Sequence, residues 1–519
     1  MGYRPHDPAT PLLFGYDPVR DLPPDHLARL IDEVVEQVVE VPHRFRGPGQ
    51  PAFNPRLTVK VLIYGYCTGV RSSRRMEQHC QESLPYLFLT RGDGPSYRTL
   101  CTVRKEQSAL IEQAWLGLFG VAAELGIEQV GCITVDTTKL RANASAEAVV
   151  KQEEYEALRE ELERILAQAE QVDVQEEDAG RRMQTQTGRT AKREQMRAIL
   201  RRVRRKMAVA KRGLGSEGER VEGAEEEQPE LSARMRERVA AAAAAVQSAM
   251  AQGREYLCLT DPDAVMMGEG CEKKIRECHS FELAVDNGSG MLMAGDTTQE
   301  GNDNGRLEGL VKEAGRHEPE GVQEADGDSG FYENGVTARL NAAGIETCVP
   351  DSHTACDLHR GLPIGTTRGR QGSAVELSYD EAADCFRCPQ GEVLSFRQSR
   401  REGGQPVKVY VAQCDCRACP MAGECLRQER ARHRTVKVGA YDDILAVVRK
   451  RFEEPAYQER YRHRGERVEG VFGFMRSVLA FQRWLLRGKE GVAAEGRLLK
   501  TAYQFRKLHT RWRTSRAVA

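Results

Sequence analysis

The chain has 519 residues, 76 Lys and Arg against 77 Asp and Glu, and a net charge of −1. That length exceeds what one hydrophobic core supports and predicts three or four structural units. No apolar run approaches the ~18 residues of a membrane span, and the opening Met1-Gly-Tyr-Arg-Pro lacks the apolar stretch of an export signal, so a cytoplasmic protein is expected. The near-zero charge hides a gradient. The last ~90 residues carry roughly twice as many cations as acids, the mark of a polyanion partner. Fifteen cysteines, an odd number, fit reduced thiols in a cytosolic chain.

Taken in order, residues 1–128 read as a helical domain. Pro23-Pro-Asp25 opens a helix with Asp25 as its cap, followed by Leu27, Leu30, Ile31, Val34 and Val38 at helical spacing. Pro42 to Pro55 reads as a loop, Leu57 to Tyr66 as a buried helix, and Ser96 to Leu125 as another long helix. Between them, Ser72 caps a short helix, Ser73–Cys80, with Arg71, Arg74 and Arg75 at its entry. This resembles a helix-turn-helix that grips DNA; the plain alternative is a helical bundle with solvated arginines.

Residues 129–148 switch to β character, with Cys132-Ile-Thr-Val ending on Asp136. Residues 149–254 return to helix. Tyr155, Leu158, Leu162 and Ile165 form one apolar stripe, Arg193–Arg212 is a basic helix, Gly213–Glu230 is a charged linker, and Leu231–Met250 is alanine-rich. This predicts a helical hairpin or coiled-coil arm inserted into a domain. Residues 255–354 read as strands and helices in alternation. Phe281–Asp286 and Met291–Gly295 flank the hairpin signal Asn287-Gly288. A helix near Arg306–Ala314, a strand near Gly321–Ala325, a helix over Val336–Ala343 and a strand over Ile345–Val349 follow. The fold class expected is therefore α/β, a mixed sheet with a helical N-terminal domain and two insertions.

Residues 355–438 hold six cysteines, Cys385, Cys388, Cys414, Cys416, Cys419 and Cys425. The Cys-x-x-Cys steps fit a structural zinc site, with Cys388, Cys416, Cys419 and Cys425 as ligands and Cys385 and Cys414 as alternates, stapling a segment short of core. Free thiols are the alternative. Residues 439–519 are basic and helical. On a helix over Glu454–Leu479, Tyr461, Arg464, Glu469 and Arg476 share one broad sector with Val468 and Phe472, which places Glu469 on a buried face. A buried carboxylate needs a cation, either an arginine or a metal.

Three acids stand out by their settings. Asp136 lies in Val135-Asp-Thr-Thr-Lys-Leu-Arg-Ala-Asn-Ala-Ser145, Asp328 in Gly327-Asp-Ser-Gly-Phe331, and Glu469 on the basic helix. Carboxylates distant in sequence that meet in one fold can hold two divalent metals and cut phosphodiesters. Asp326, two residues before Asp328, competes for the second place.

These motifs, with Leu62-Ile-Tyr-Gly-Tyr-Cys-Thr-Gly-Val-Arg-Ser-Ser-Arg74, the stretch Thr260-Asp-Pro-Asp263 through Asn302-Asp303, and the tail Thr501-Ala-Tyr-Gln-Phe-Arg-Lys-Leu508, resemble the DDE transposases of bacterial insertion sequences, nearest the insertion-sequence 1182 group within the insertion-sequence 4 and 5 types. Arg476 stands where that family's signature has lysine. The resemblance implies an RNase H-like core, two Mg²⁺ (or Mn²⁺) ions on Asp136, Asp328 and Glu469, and DNA contacts from Tyr461, Arg464, Arg476, Lys139 and Asn143. It also implies cleavage at double-stranded element ends, strand transfer into target DNA, and at least a homodimer on DNA. A catalytically inactive DNA-binding relative, or a nuclease that cuts without joining, are the alternatives.

Overall fold

The computed structural model describes residues 17–41, 53–179, 197–204, 233–269, 274–318, 320–366, 375, 377–402, 405–426 and 431–518. The expected linker Gly213–Glu230 and most of the Pro42–Pro55 loop lie outside these residues, as does much of the basic 193–212 stretch.

Among the described residues, seven helices lead the chain: α1 Pro18–Asp21, α2 Leu27–Val38, α3 Pro55–Cys67, α4 Ser73–Glu82, α5 Leu84–Thr90, α6 Tyr97–Glu106 and α7 Ser108–Glu124. The cap of α2 is His26, whose Nδ1 accepts from the Ala28 amide, rather than Asp25. In α3 every residue from Thr58 to Cys67 is buried, as the unbroken apolar run implies. The single long helix expected from Ser96 breaks at Gln107 (φ −109°, ψ 30°) into α6 and α7. Ser72 precedes α4 without a side-chain capping bond.

Arg71 is not a surface cation. It is 6% exposed and ion-pairs with the fully buried Glu495. It also donates to the carbonyl oxygens of Ala480 (2.8 Å) and Arg483 (2.7 Å), and lies over the Phe481 ring. Glu495 in turn accepts from the amides of Leu485 and Leu486. Arg71 therefore ties the N-terminal helices to the C-terminal end of the chain and is unavailable to DNA, which corrects the sequence expectation. Arg74 and Arg75 are exposed, with Arg74 over the Tyr97 ring.

The central sheet is mixed. β1 (Cys132–Arg141) pairs antiparallel with β5 (Lys274–Asp286) and parallel with β7 (Glu324–Asp326), which pairs parallel with β8 (Glu346–Cys348). β4 (Val265–Glu269) pairs with the first part of β5, and β6 (Leu292–Thr298) with the second. The Asn287-Gly288 signal does mark the β5–β6 turn, but the turn is longer than two residues. Asp286 holds it by accepting from both the amide and the hydroxyl of Ser289. One continuous apolar core joins the N-terminal helices, this sheet and the C-terminal helices.

Between β1 and β4 a short ribbon, β2 (Val149–Lys151) with β3 (Tyr256–Cys258), closes the base of the arm. Its helices α8 (Tyr155–Ala179) and α9 (Ala233–Ala251), with helical residues 197–204, bury Tyr155, Leu158, Leu162, Leu200, Val203, Val239 and Val246 in a core of their own. The stripe foreseen from sequence is that core's edge. After β6 come α10 (Leu307–Ala314), α11 (Asn334–Ala342) and α12 (Ser352–Arg360).

The cysteine-rich stretch folds as a five-stranded antiparallel sheet: β9 Ser378–Asp380, β10 Cys385–Arg387, β11 Val393–Glu402, β12 Gln405–Ala412 and β13 Thr435–Gly439, with the turn helix α13 (Ala422–Cys425) between the last two. It buries Leu394, Tyr410, Ala412 and Cys416 together, so it does not lack a core, and the reason for a zinc staple falls away. Cys416 is a packed side chain whose Sγ accepts from the Arg434 amide at 3.3 Å and lies 3.8 Å from Cys414 Sγ. Among the described residues no three His, Cys, Asp or Glu side chains gather at metal-binding geometry, so Cys388, Cys416, Cys419 and Cys425 do not converge as expected.

Three helices finish the chain: α14 Asp442–Arg451, α15 Pro455–Ser477 and α16 Gly488–Val518. α15 lays Val468, Val471, Phe472 and Met475 on the sheet, and α16 packs against α3, α7 and β6.

Replacing one partner of a buried ion pair strands the other charge. Arg71→Ala is therefore expected to lower the unfolding free energy by about 3–5 kcal/mol. Arg75→Ala, at an exposed position, should change it by no more than about 0.5 kcal/mol. Chemical denaturation measures both, and equal small effects would refute the strut.

Candidate active site

Asp136 lies in the middle of β1, not at its end, because the β-branched Thr137 and Thr138 extend the strand to Arg141. Alternate residues of a strand face one side, so Thr134, Asp136 and Thr138 look the same way. That is the side covered by α15. Thr138 Oγ1 accepts from Arg476 at 2.7 Å, and Asp326, opposite Thr134, is bonded to Arg460 and Arg467. The parallel β1–β7 pairing ends with Thr134 opposite Asp326, and Asp328, two residues on, lies close enough to Asp136 for its charge to raise the Asp136 carboxyl.

Asp326 and Asp328 differ in what each carboxylate already holds. Asp326 is fully buried. Its Oδ1 accepts from Arg460 (Nε, 2.9 Å), and its Oδ2 from Arg467 (3.2 Å) and Asn287 (3.5 Å). Asp328 is half-buried and caps the turn Ser329–Phe331, with Oδ1 accepting from the Gly330 amide at 2.8 Å. Asp326 is thus consumed by structure, whereas Asp328 keeps an oxygen to offer.

Asp136 Oδ1 accepts from the Thr137 amide at 2.8 Å. Burial pushes its carboxyl up to about 6. The Thr137 amide and the Arg464 guanidinium pull against that rise, while the negative charges of Asp328 and Asp303 reinforce it.

Asp303 is the acid that sequence reasoning passed over. It stands on the loop before α10, and its Oδ1 is buried without a hydrogen-bond partner among the described residues. A Cβ added at Gly330 would lie 3.0 Å from Asp328 Oδ1 and 3.3 Å from Asp303 Oδ2, so both carboxylates flank that one glycine. Burial raises the Asp303 carboxyl and the Asp328 charge raises it further, against Thr137, Lys139 and Arg306. The Thr137 hydroxyl is close by, yet Thr137 Oγ1 itself makes no hydrogen bond of good geometry. Nothing in residue spacing marks Asp303 among the many acids of that region; only the resemblance around Asn302-Asp303 touched it. Lys139, expected on phosphate, instead donates to the Gly301 carbonyl at 2.8 Å and pins the loop that carries Asp303.

The flank of α15 supplies the cations. Arg464 lies 4.5 Å over the Tyr461 ring, and its Nε is buried without a partner among the described residues. Burial raises the Tyr461 phenol, and the Asp328 charge adds to this. Glu469 is exposed, contrary to the buried face expected. At 100° per residue, Val468, Val471, Phe472 and Met475 take the sheet-facing arc, and Glu469 falls on its rim. It shares that rim with Arg476, two turns further on. Asn143 donates to the Leu485 carbonyl (2.5 Å) and its own carbonyl accepts from Arg487, so it fastens the α15–α16 loop rather than standing free for DNA.

The three predicted acids do not form a ready-made metal cage among the described residues. The donor set around Gly330 nonetheless fits a hard divalent cation. It offers carboxylate oxygens, one of them orphaned and buried among the described residues, with desolvated negative charge that Arg464, Lys139 and Arg306 offset only from a distance.

Two family models match this chain: the "Transposase DDE domain" over residues 387–509, and the "Transposase domain (DUF772)" over residues 18–106. The first spans α15 and Glu469; neither reaches Asp136, Asp303 or Asp328. No curated protein and no solved structure matches the chain.

The raised carboxyl of Asp136 fixes the sign of a stability effect. Its native form holds a proton that the unfolded chain has released, so stability falls as pH rises from about 4 to about 6. In a chelator, Asp136→Asn should therefore be more stable than the parent at pH 7 by roughly 2 kcal/mol, and equal to it at pH 4. Identical denaturation curves at both pH values would contradict the buried charge.

Proposed function

Because the chain is a DDE-type transposase, an enzyme that cleaves DNA and transfers strands, we propose that its chemistry runs through Asp136 and Asp328, with Glu469 as the third acid and Asp303 beside them. The observation that supports this is the mutual charge of the acids: the Asp328 and Asp303 carboxylates both raise the Asp136 carboxyl, on the strand that Arg476 of α15 touches through Thr138. The mixed sheet, with three parallel strands and an antiparallel hairpin, supports an RNase H-like core. The two family matches are consistent with the insertion-sequence 1182 group.

Asp136, Asp328 and Glu469, with Asp303 as neighbour, would hold Mg²⁺ or Mn²⁺. Such ions, when bound, supply an activated water or 3′-hydroxyl and stabilise the leaving oxygen. The chain's own residues do the rest. Asp136 must be ionised to bind, and its carboxyl near 6 means that this is complete only above neutral pH unless a cation draws the proton off. Arg464, with a spare buried N–H, and Arg476, braced on Thr138, present guanidinium groups on either side of the acids, where a phosphodiester needs two positive neighbours to be held in line. Tyr461 holds the Arg464 plane by stacking. Arg460 and Arg467 touch neither the metal ions nor the reacting phosphate in this scheme. They dock α15 through Asp326 so that Glu469 overlooks the acids. The partner is double-stranded DNA, both element ends and target, with two copies of the chain assembled on it.

Asp136→Asn and Asp328→Asn should each reduce Mg²⁺-dependent nicking of element-end DNA by about a thousandfold or more, since several kcal/mol of charge stabilisation disappears. Glu469→Gln should act likewise, and all three should still bind DNA in a gel-shift assay. Asp326→Asn should instead lower the thermal midpoint. Full nicking by Asp328→Asn would return the second position to another acid.

A further inference from the structure

A second basic site lies away from the acids. A cleft of about 730 Å³ opens between α15, α16, the β5–β6 turn and the loop after α7. Arg467, Arg506, Lys507 and Arg511 line it, against one carboxylate, Glu128. Arg467 spends one N–H on Asp326. Arg506, Lys507 and Arg511 have no carboxylate partner among the described residues, unlike Arg513 and Arg516 further along α16, which pair with Asp25 and Glu33. Three unspent cations close together on one stretch of helix repel one another and attract an anion. Arg467 is two residues, or 200°, from Glu469 around α15, so the cleft lies on the opposite flank from the acids.

The cleft's other walls say what kind of anion. Gly290 (φ +68°) forms part of the β5–β6 wall, and a Cβ there would come 2.7 Å from Lys507 Nζ, so glycine keeps that ammonium accessible. The aromatic rings offer no stacking platform. Phe474 and Tyr503 meet edge-on, 5.6 Å apart at 90°, and the Tyr503 hydroxyl donates to the Gly290 carbonyl at 3.0 Å. Single-stranded sites pair basic grooves with open aromatic faces. This cleft has the charge without the faces, so it suits phosphates and not splayed bases. We propose that it grips the sugar-phosphate backbone of duplex DNA, sequence-independently, as a second contact separate from the acids. The inference rests on the reading that this chain handles DNA.

The test is fluorescence anisotropy of the full chain with short duplexes of two unrelated sequences, in chelator, over a range of salt. The triple variant Arg506→Gln, Lys507→Gln, Arg511→Gln should flatten the slope of log affinity against log salt by about 2 to 3, near 0.9 for each phosphate that is no longer neutralised, equally for both duplexes. Lys507→Gln alone, at an exposed position, should flatten it by about 1 and covers the case in which the triple variant does not fold. Arg506→Lys with Arg511→Lys should keep the parent slope. An unchanged slope in both Gln variants overturns the cleft while leaving the DNA-handling reading intact. Loss confined to a single-stranded probe overturns the duplex assignment. Failure of the parent chain to bind any duplex removes both.

Discussion

The structure turns on a buried carboxylate held by two arginines. Asp326 is fully buried at the end of β7 and is held by two arginines of α15, with Arg460 also reaching Glu324 and Glu346 at the same edge. Burying that charge is costly, and only a fixed geometry of guanidinium donors offsets it. The geometry therefore admits one seating of α15 on the sheet. From that seating follow Arg476 against Thr138 and Arg464 near enough to Asp136 to act on its carboxyl. Asn287, at the β5–β6 turn, bonds to both Asp326 and Thr134, so the same cluster also registers the turn against β1. The basic cleft on the far flank is bounded by that turn and by Arg467, and so its shape is inherited from the same ion cluster.

β1 is the spine on which separate pieces hang. It carries Asp136, pairs with β5 and β7, and is immediately followed by the ribbon that opens the helical arm. The arm and the cysteine-rich sheet each bury their own apolar residues, which is why the chain can carry the first between β1 and β4 and the second between the central sheet and α14 without disturbing that sheet. The N-terminal helices behave differently. They share a single core with the sheet and are locked to the C-terminal region through Arg71 and Glu495, so they cannot swing as an independent module without breaking a buried pair.

Much of this was legible in the residues. Periodicity located α2, α3, α10, α11, α15, β7, β8 and the arm's buried stripe, because burial of apolar side chains dictates spacing. Motif context preferred Asp328 over Asp326, and the carboxylate of Asp326 is the one that two arginines of α15 hold. Other expectations failed for identifiable reasons. Arg71 and Asn143 sit in polar stretches that read as DNA contacts, but their donors go to Glu495 and to carbonyl oxygens contributed from elsewhere in the chain, and Lys139 gives one of its three N–H groups to the Gly301 carbonyl. The clustered cysteines had suggestive spacing, but only Cys385 lies on a strand, Cys416 packs into the small sheet's own core with Cys388 and Cys414 against it, and no metal-binding group of three forms among the described residues.

By itself, the sequence determined the order of helices and strands, the three acids and their settings, and the accumulation of cations at the C-terminal end. These depend on local spacing and residue type, which the chain states directly. Only the tertiary structure decided which carboxylates are spent and which remain open, that Glu469 stands on a rim and not on a buried face, and that Asp303 joins the acids across Gly330. It also decided that three cations of α16 face a shared cleft. The availability of a charged group depends on what else has come within about 3 Å of it, and in this chain those neighbours are often more than a hundred residues away.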